Sequence, residues 1–264
     1  MTGRSLDNIL YICPNSYIGG AEQFVLNICE LHKQQNNYNV MILFFSDGVA
    51  CKKAIELGID YKVLPFTLKL SQISSLIRAS LFIRKLIKHE SINLIHSTMP
   101  YSHIVAVTSS LFLGIKRVWF QHGPVGGTLD QLASLLPVDM ILFNSEYLKL
   151  EHYNSLNKMF INKPRFGNEV IPLGVKIIET NQGPKKNGGK KVCIGSIGRI
   201  TPLKGYEICL NSVAQIDNGL LKNLVVYIVG GPSGERDEAY LNSLKKIVDE
   251  NDLKDIVSFT GFQE

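Results

Sequence analysis

Short apolar runs of five or six residues recur along the chain, each followed by a polar or Gly-containing turn and then, in most cases, by a segment whose apolar positions fall three and four apart. The runs in the first part are Asn8 to Cys13, Val40 to Phe45, Tyr61 to Pro65, Ile92 to His96, Arg117 to Gln121, Asp139 to Asn144 and Asn168 to Pro172. Helical spacing appears in Ala21 to Lys33, around Cys51 to Leu57, in Ser71 to His89 and in Tyr101 to Leu113, and Asn144 or Ser145 is placed to cap a further helix. Repeated strand and helix units of this kind predict an α/β fold with a parallel sheet covered on both faces.

The pattern lapses at Glu179 to Lys190, which reads ETNQGPKKNGGK, and then restarts. Such a polar, aperiodic stretch is expected to be a linker. It divides the chain into a first domain at 1–178, a linker at 179–190 and a second domain at 191–264. The second part is expected to hold strands at Val192 to Ile197, Leu224 to Val229 and Ile256 to Phe259, with helices at Gly205 to Ile216 and Glu235 to Glu250.

The chemistry concentrates in turns at the ends of strands. Val192 to Tyr206 reads VCIGSIGRITPLKGY, in which an apolar run breaks at Gly195 and Gly198, and Arg199 and Lys204 flank a Pro before Gly205 opens a helix. A strand, a Gly-rich turn and a helix N-terminus can bind a diphosphate through backbone N–H groups, the helix dipole and two cations of different geometry. The same residues also suit an ordinary strand-to-helix connection. The spacing is neither GxGxxG nor that of a P-loop, which disfavours a nicotinamide enzyme or a P-loop ATPase. Near the start, Gly19 and Gly20 precede Glu22 and a helix, and read either as a backbone cradle for an anion or hydroxyl or as a plain turn. His96 and His122 fall at the carboxyl ends of strands, the edge at which open α/β sheets bind ligands. His122, in an exposed HGPVGG turn, is favoured as a substrate contact over His96. Gly230 and Gly231 close another strand, for turn chemistry or for close approach of a nucleotide.

Composition narrows the classes. Across 264 residues the apolar fraction is 45% and the net charge +5, enough for cores and too dispersed a charge to argue for nucleic acid. Ile104 to Ile115 is too short to span a bilayer, and the start of the chain, with five apolar residues before Pro14, does not read as a secretion signal. Cys13, Cys29, Cys51, Cys193 and Cys209 show no metal spacing and are expected as reduced, buried thiols in a cytoplasmic protein. Ser71 to His89 carries Arg78, Arg84, Lys85 and Lys88 among its apolar positions. A basic amphipathic helix can lie on anionic lipid, although such helices more often pack one face on a sheet and solvate the charges.

Four features in order, GGAE at Gly19 to Glu22, the strand ends HSTMP and QHGP, VIPLGV at Val170 to Val175, and GSIGRITPLKG followed by VYIVGGPSGE and VSFTGF, resemble a family 4 glycosyltransferase of the GT-B type over Asn8 to Glu264. The resemblance implies two Rossmann-like domains, the first for an acceptor and the second for a nucleotide sugar. Arg199 and Lys204 would hold the donor diphosphate and stabilise the leaving group. His122 would contact the donor sugar, and Gly198, Gly205, Gly230 and Gly231 would line the donor site. Gly19, Gly20 and Glu22 would form the loop that approaches the diphosphate and acceptor. It further implies transfer with retention of configuration and no metal or other cofactor, the nucleotide sugar being a substrate. The partners implied are that donor, a glycan or lipid-linked acceptor and peripheral contact with the inner face of a membrane, in polysaccharide or cell-envelope assembly. The family's E-x7-E acids have no counterpart up to Glu264, so the second domain is expected to be incomplete, with about three strands and an uncovered edge. Two alternatives stay open at this point: a fragment that only binds acceptor or lipid, and a GT-B nucleotide-sugar 2-epimerase.

Overall fold

The computed structural model of the protein describes residues 7–36, 38–155, 163–175, 177, 191–232 and 234–263. The chain divides into two compact units, Met1–Ile178 and Glu179–Glu264. The stretch expected as a linker lies outside the described residues.

In the first unit, β1 (Asp7–Cys13), α1 (Gly20–Gln35), β2 (Tyr38–Phe44), α2 (Val49–Glu56), β3 (Asp60–Val63), α3 (Ile73–His89) and β4 (Leu94–Ser97) follow in turn. Next come α4 (Pro100–Ser110), β5 (Lys116–Gln121), α5 (Thr128–Ser134), β6 (Met140–Phe143), α6 (Glu146–Ser155) and β7 (Asn168–Val170). The strands form one parallel sheet in the order β3-β2-β1-β4-β5-β6-β7. β1 pairs along its whole length with β2, from Asp7 opposite Tyr38 to Cys13 opposite Phe44, and on its other side with β4, from Ile9 opposite Leu94 to Ile12 opposite Ser97. The winding reverses between β1 and β4, so the segments leaving those strands diverge and open a crevice at their carboxyl ends.

Side chains of β1 alternate between two cores. Leu10 and Ile12 pack with Leu43, Ile83, Ile95 and Val105 beneath α3 and α4. Ile9, Tyr11 and Cys13 pack with Val25, Leu26, Cys29 and Ile42 beneath α1 and α2. Burial on both faces explains why β1 reads as a continuous apolar run, and cutting fully buried Leu10 to Ala costs about 2–5 kcal/mol. Ser145 Oγ accepts from the Leu148 amide at 3.2 Å and caps α6, as its sequence position suggests. The seven-residue α5 carries no such signal. Its Leu129 and Leu132 are 43% and 46% exposed, so no buried apolar stripe marks it.

The second unit contains β8 (Val192–Ile197), a 3₁₀ turn at Pro202–Lys204, α7 (Tyr206–Ala214), α8 (Asn218–Leu221), β9 (Leu224–Val229), α9 (Glu235–Glu250) and β10 (Val257–Gly261). Its strands are parallel in the order β10-β9-β8. Leu224, Val226 and Ile228 point to one core with Ile200, Leu210, Leu244 and Val248, whereas Val192 and Ile197 on the edge strand β8 remain exposed. The helix expected to run from Gly205 to Ile216 is interrupted at both ends. Gly205 is left-handed (φ 64°) and caps α7, which stops at Ala214, and α8 is a separate turn capped by Asp217, whose Oδ1 accepts from the Gly219 amide at 2.8 Å. The cysteine expectation needs correction in the second unit. Cys13, Cys29 and Cys51 are buried, but Cys193 on β8 is exposed and Cys209 is half-buried.

Candidate functional site

The crevice between β1 and β4 gathers the first set of candidate residues. Thr98 Oγ1 donates to the Ile12 carbonyl at 3.2 Å and ties the two strand ends together at its floor. Above it α1 begins at Gly20, so the positive end of a sixteen-residue helix faces the carboxyl edge of the sheet. The two glycines differ in what they are for. A Cβ at Gly19 would lie 2.8 Å from Glu22 Oε2, so a side chain there would push that carboxylate out of its present position. A Cβ at Gly20 would have nothing within 4 Å, so the fold leaves this spot open and a ligand can approach the backbone there.

Glu22 is 3% exposed and is engaged in holding the loop. Its Oε2 accepts from the Gly19 amide at 3.1 Å and its Oε1 from Asn15 Nδ2 at 3.1 Å. It supplies the carboxylate half of a capping box, to the amide of the N-cap Gly19, and stiffens the loop after β1.

His96 and His122 meet around Phe24 of α1. The His122 ring is 4.2 Å from Phe120 and 5.2 Å from Phe24, and the His96 ring is 4.9 Å from Tyr11 and 6.3 Å from Phe24. Both ring nitrogens of His122 are buried and lack a hydrogen-bond partner among the described residues, as is Nδ1 of His96. Burial lowers His122 to about 4, and burial together with the charge of His122 lowers His96 to about 3. Both are therefore neutral near pH 7. A neutral imidazole with two unpaired nitrogens can donate from one and accept at the other.

The turn carrying His122 is braced from below. Gln121 Nε2 donates to Asp130 Oδ1 at 3.0 Å and to the Gly123 carbonyl at 3.1 Å, and Asp130 Oδ2 accepts from the Gly127 amide at 3.2 Å. Asn144 Nδ2 donates to the His122 carbonyl at 3.3 Å. Phe24 and Asn144 were missed as contributors because each acts through a partner distant in sequence, and Gln121 and Asp130 because their bond spans a turn whose course the sequence does not show.

In the second unit, the strand ends converge on glycines. The Gly198 amide donates to the Val229 carbonyl at 2.9 Å and the Gly230 amide to the Gly261 carbonyl at 2.8 Å. A Cβ at Gly230 would lie 2.0 Å from the Gly198 carbonyl oxygen, and one at Gly231 would lie 2.5 Å from the Phe262 ring. Internal packing alone thus demands glycine at 230, where the neighbour is backbone, whereas at 231 the neighbour is the ring of Phe262, itself 73% exposed. Tyr206, 2% exposed, donates its hydroxyl to the Gly198 carbonyl at 3.1 Å and fixes the turn, another contribution invisible in the sequence. Arg199 and Lys204 both lie on the surface, and Lys204 Cε comes within 3.9 Å of where a Gly198 Cβ would be. The helix amides are less available than expected. Those of Glu207 and Ile208 already donate, to the Tyr240 hydroxyl and the Gly205 carbonyl.

Residues 18–156 match the family model described as Glycosyltransferase Family 4, which spans more than half of the chain. The chain belongs to glycosyltransferase family 4. Residues 177–264 match the model described as Glycosyl transferases group 1. No curated protein matches the chain at a significant level. Among solved structures it is similar to Anabaena HepE in complex with UDP-glucose, at 18% identity and a TM-score of 0.75 over 97% of this chain and 69% of that one. A glycosyltransferase from Rickettsia africae gives 13% identity and a TM-score of 0.75, covering 99% and 69%. WaaG, a glycosyltransferase of lipopolysaccharide biosynthesis, gives 12% and 0.66, covering 97% and 70%. These likenesses establish the fold of this family 4 glycosyltransferase as α/β of the GT-B type. No described helix is long and apolar enough to cross a membrane.

Proposed function

We propose that this glycosyltransferase moves a sugar from a nucleoside-diphosphate donor to a glycan or lipid-linked acceptor, with retention of configuration and without a divalent metal. The observation that carries the reading is His122: a neutral imidazole, both nitrogens buried and without a hydrogen-bond partner, beside a helix N-terminus whose Gly20 leaves backbone accessible. That combination offers hydrogen bonds to a sugar and a positive dipole to its phosphates. Arg199 and Lys204 hold the diphosphate and stabilise the charge that develops on the leaving group, in place of a metal ion. Retention and the acceptor class rest on the family resemblance. The UDP and UDP-glucose complexes of HepE make a uridine donor the first to try.

The test is thermal unfolding of the chain titrated with UDP, GDP and their sugar conjugates. Saturating nucleotide at a hundredfold excess over Kd should stabilise the fold by about 2.7 kcal/mol. Arg199→Ala or Lys204→Ala should weaken that binding roughly tenfold to a hundredfold, since a charge-assisted hydrogen bond contributes about 1.5–3 kcal/mol. A folded chain whose melting no nucleotide shifts would refute the donor site.

A further inference from the structure

The ring of His122 is held by packing, with no hydrogen bond to set its angle. Both nitrogens are buried and without a partner among the described residues. The torsion that turns an imidazole is soft and broad, so the ring needs its neighbours to choose an angle. Among the described residues two rings contact it, Phe120 at 4.2 Å with an interplanar angle of 35° and Phe24 at 5.2 Å and 54°.

Those two neighbours differ in origin. Phe120 is fully buried and lies just before His122 on the strand that delivers it. Phe24 is half-buried and comes from α1, one turn after Gly20 on the same side of the helix. Helical side chains lean toward the N-terminus, which brings Phe24 toward the open backbone at Gly20. Phe24 also stands edge-on to Phe120 at 4.9 Å and 87°, the arrangement in which aromatic rings attract, and its ring comes within 6.3 Å of His96. One side chain of α1 thus reaches both histidines at the strand ends and is itself held at a fixed angle. Its packing with Tyr11, Val25 and Leu26 is work that leucine could do, whereas the ring set against His122 has no aliphatic substitute.

We propose that Phe24 is a positioning residue for the donor sugar: it fixes the angle of the His122 imidazole and ties that angle to the N-terminus of α1. The group addressed to the sugar and the helix end addressed to the phosphates then keep one spacing, and a nucleotide sugar is told from the bare nucleotide by a ring that touches neither. The proposal rests on the reading of His122 as a sugar contact and adds to it the residue that makes the contact directional. Preorganisation of this kind acts through packing around the binding group, so its loss shows in selectivity before it shows in stability.

Calorimetric titration of the chain with UDP-glucose and with UDP tests it, in Phe24→Leu, in His122→Ala and in the double variant, with Phe24→Met in reserve should Phe24→Leu fold poorly. Phe24→Leu should weaken UDP-glucose by about threefold to tenfold and leave UDP unchanged. In the His122→Ala background it should have no further effect, because residues that act through one contact are not additive. A second readout needs no nucleotide. With histidine labelled by ¹⁵N, the His122 ring should stay neutral down to about pH 5 in the parent chain and protonate above that in Phe24→Leu, as its packing loosens. Equal weakening of UDP and UDP-glucose, a full effect of Phe24→Leu without His122, or a His122 ring that titrates as before would each overturn the proposal. A His122→Ala chain that binds UDP-glucose as well as its parent would instead refute the sugar contact itself, and Phe24's part in donor selection with it.

Discussion

Gln121 Nε2 donates to Asp130 Oδ1 at 3.0 Å beneath the turn that carries His122. The bond joins the last residue of β5 to the first turn of α5, so the six residues between them are held at both ends. Asp130→Ala would leave the Gln121 amide and the Gly127 N–H without that partner, at a cost of about 1–3 kcal/mol. We expect a lower urea midpoint and a fall in kcat larger than any change in the KM for acceptor. Unchanged kcat in a destabilised variant would show that the brace serves stability alone.

Gly19 and Gly20 should respond oppositely to alanine. Gly19→Ala brings a methyl against the Glu22 carboxylate and should lower the melting temperature. Gly20→Ala meets open space at the start of a helix and should be neutral or stabilising by about 0.4–1 kcal/mol. If substrate occupies that space, Gly20→Ala will reduce transfer while the protein remains fully folded. Normal activity in Gly20→Ala would place the ligand elsewhere.

Three buried histidines and the half-buried His122 set the acid limit of the first unit. His96 and His103 are lowered to about 3, and His122 and His152 to about 4, in each case mainly by burial. Below the ordinary value of 6.5 the unfolded chain takes up protons that the folded chain refuses. Stability should therefore hold above pH 6.5 and fall as pH drops toward 4, by on the order of 1.4 kcal/mol per pH unit for each histidine that stays neutral. A urea midpoint that stays flat down to about pH 5 would contradict this.

Tyr206→Phe removes the hydroxyl that holds the Gly198 carbonyl, while the ring stays in the core. Stability should drop by about 0.5–1.5 kcal/mol, and nucleotide affinity should drop with it if the turn must be held in shape. Calorimetric titration with UDP would separate the two effects.

Removal of divalent metal should leave transfer intact, because the charge on the diphosphate is assigned to Arg199 and Lys204. Assay in excess EDTA checks this, and activity restored only by added magnesium would reassign the role.

The sheet of the first unit was readable because its central strands are buried, so that β1 and β2 appear as uninterrupted apolar runs. Helix α3 was readable from its inward stripe, but nothing in its spacing told that Ile77 and Leu81 lie on the outside, since an apolar residue looks the same whichever way it points. α5 was not readable, because its leucines face out and its cap is a glycine with an aspartate three residues on. At the candidate site, the turns carrying His122 and Arg199 were legible from glycines at strand ends. Whether a glycine serves a ligand or its own neighbours was not. Gly20 leaves room and Gly230 does not, and that difference depends on the Gly198 carbonyl, thirty-two residues away in the chain.

The convergence of Gly198, Gly230 and Gly261 makes the amides at that point reporters of the whole second unit. The Gly198 amide is held by β9 and the Gly230 amide by the end of β10, so neither can exchange its proton with solvent until neighbouring strands part. Their protection against deuterium should match the slowest amides of Val226 and Ile228, so that two glycines at the strand ends report how often the entire sheet opens.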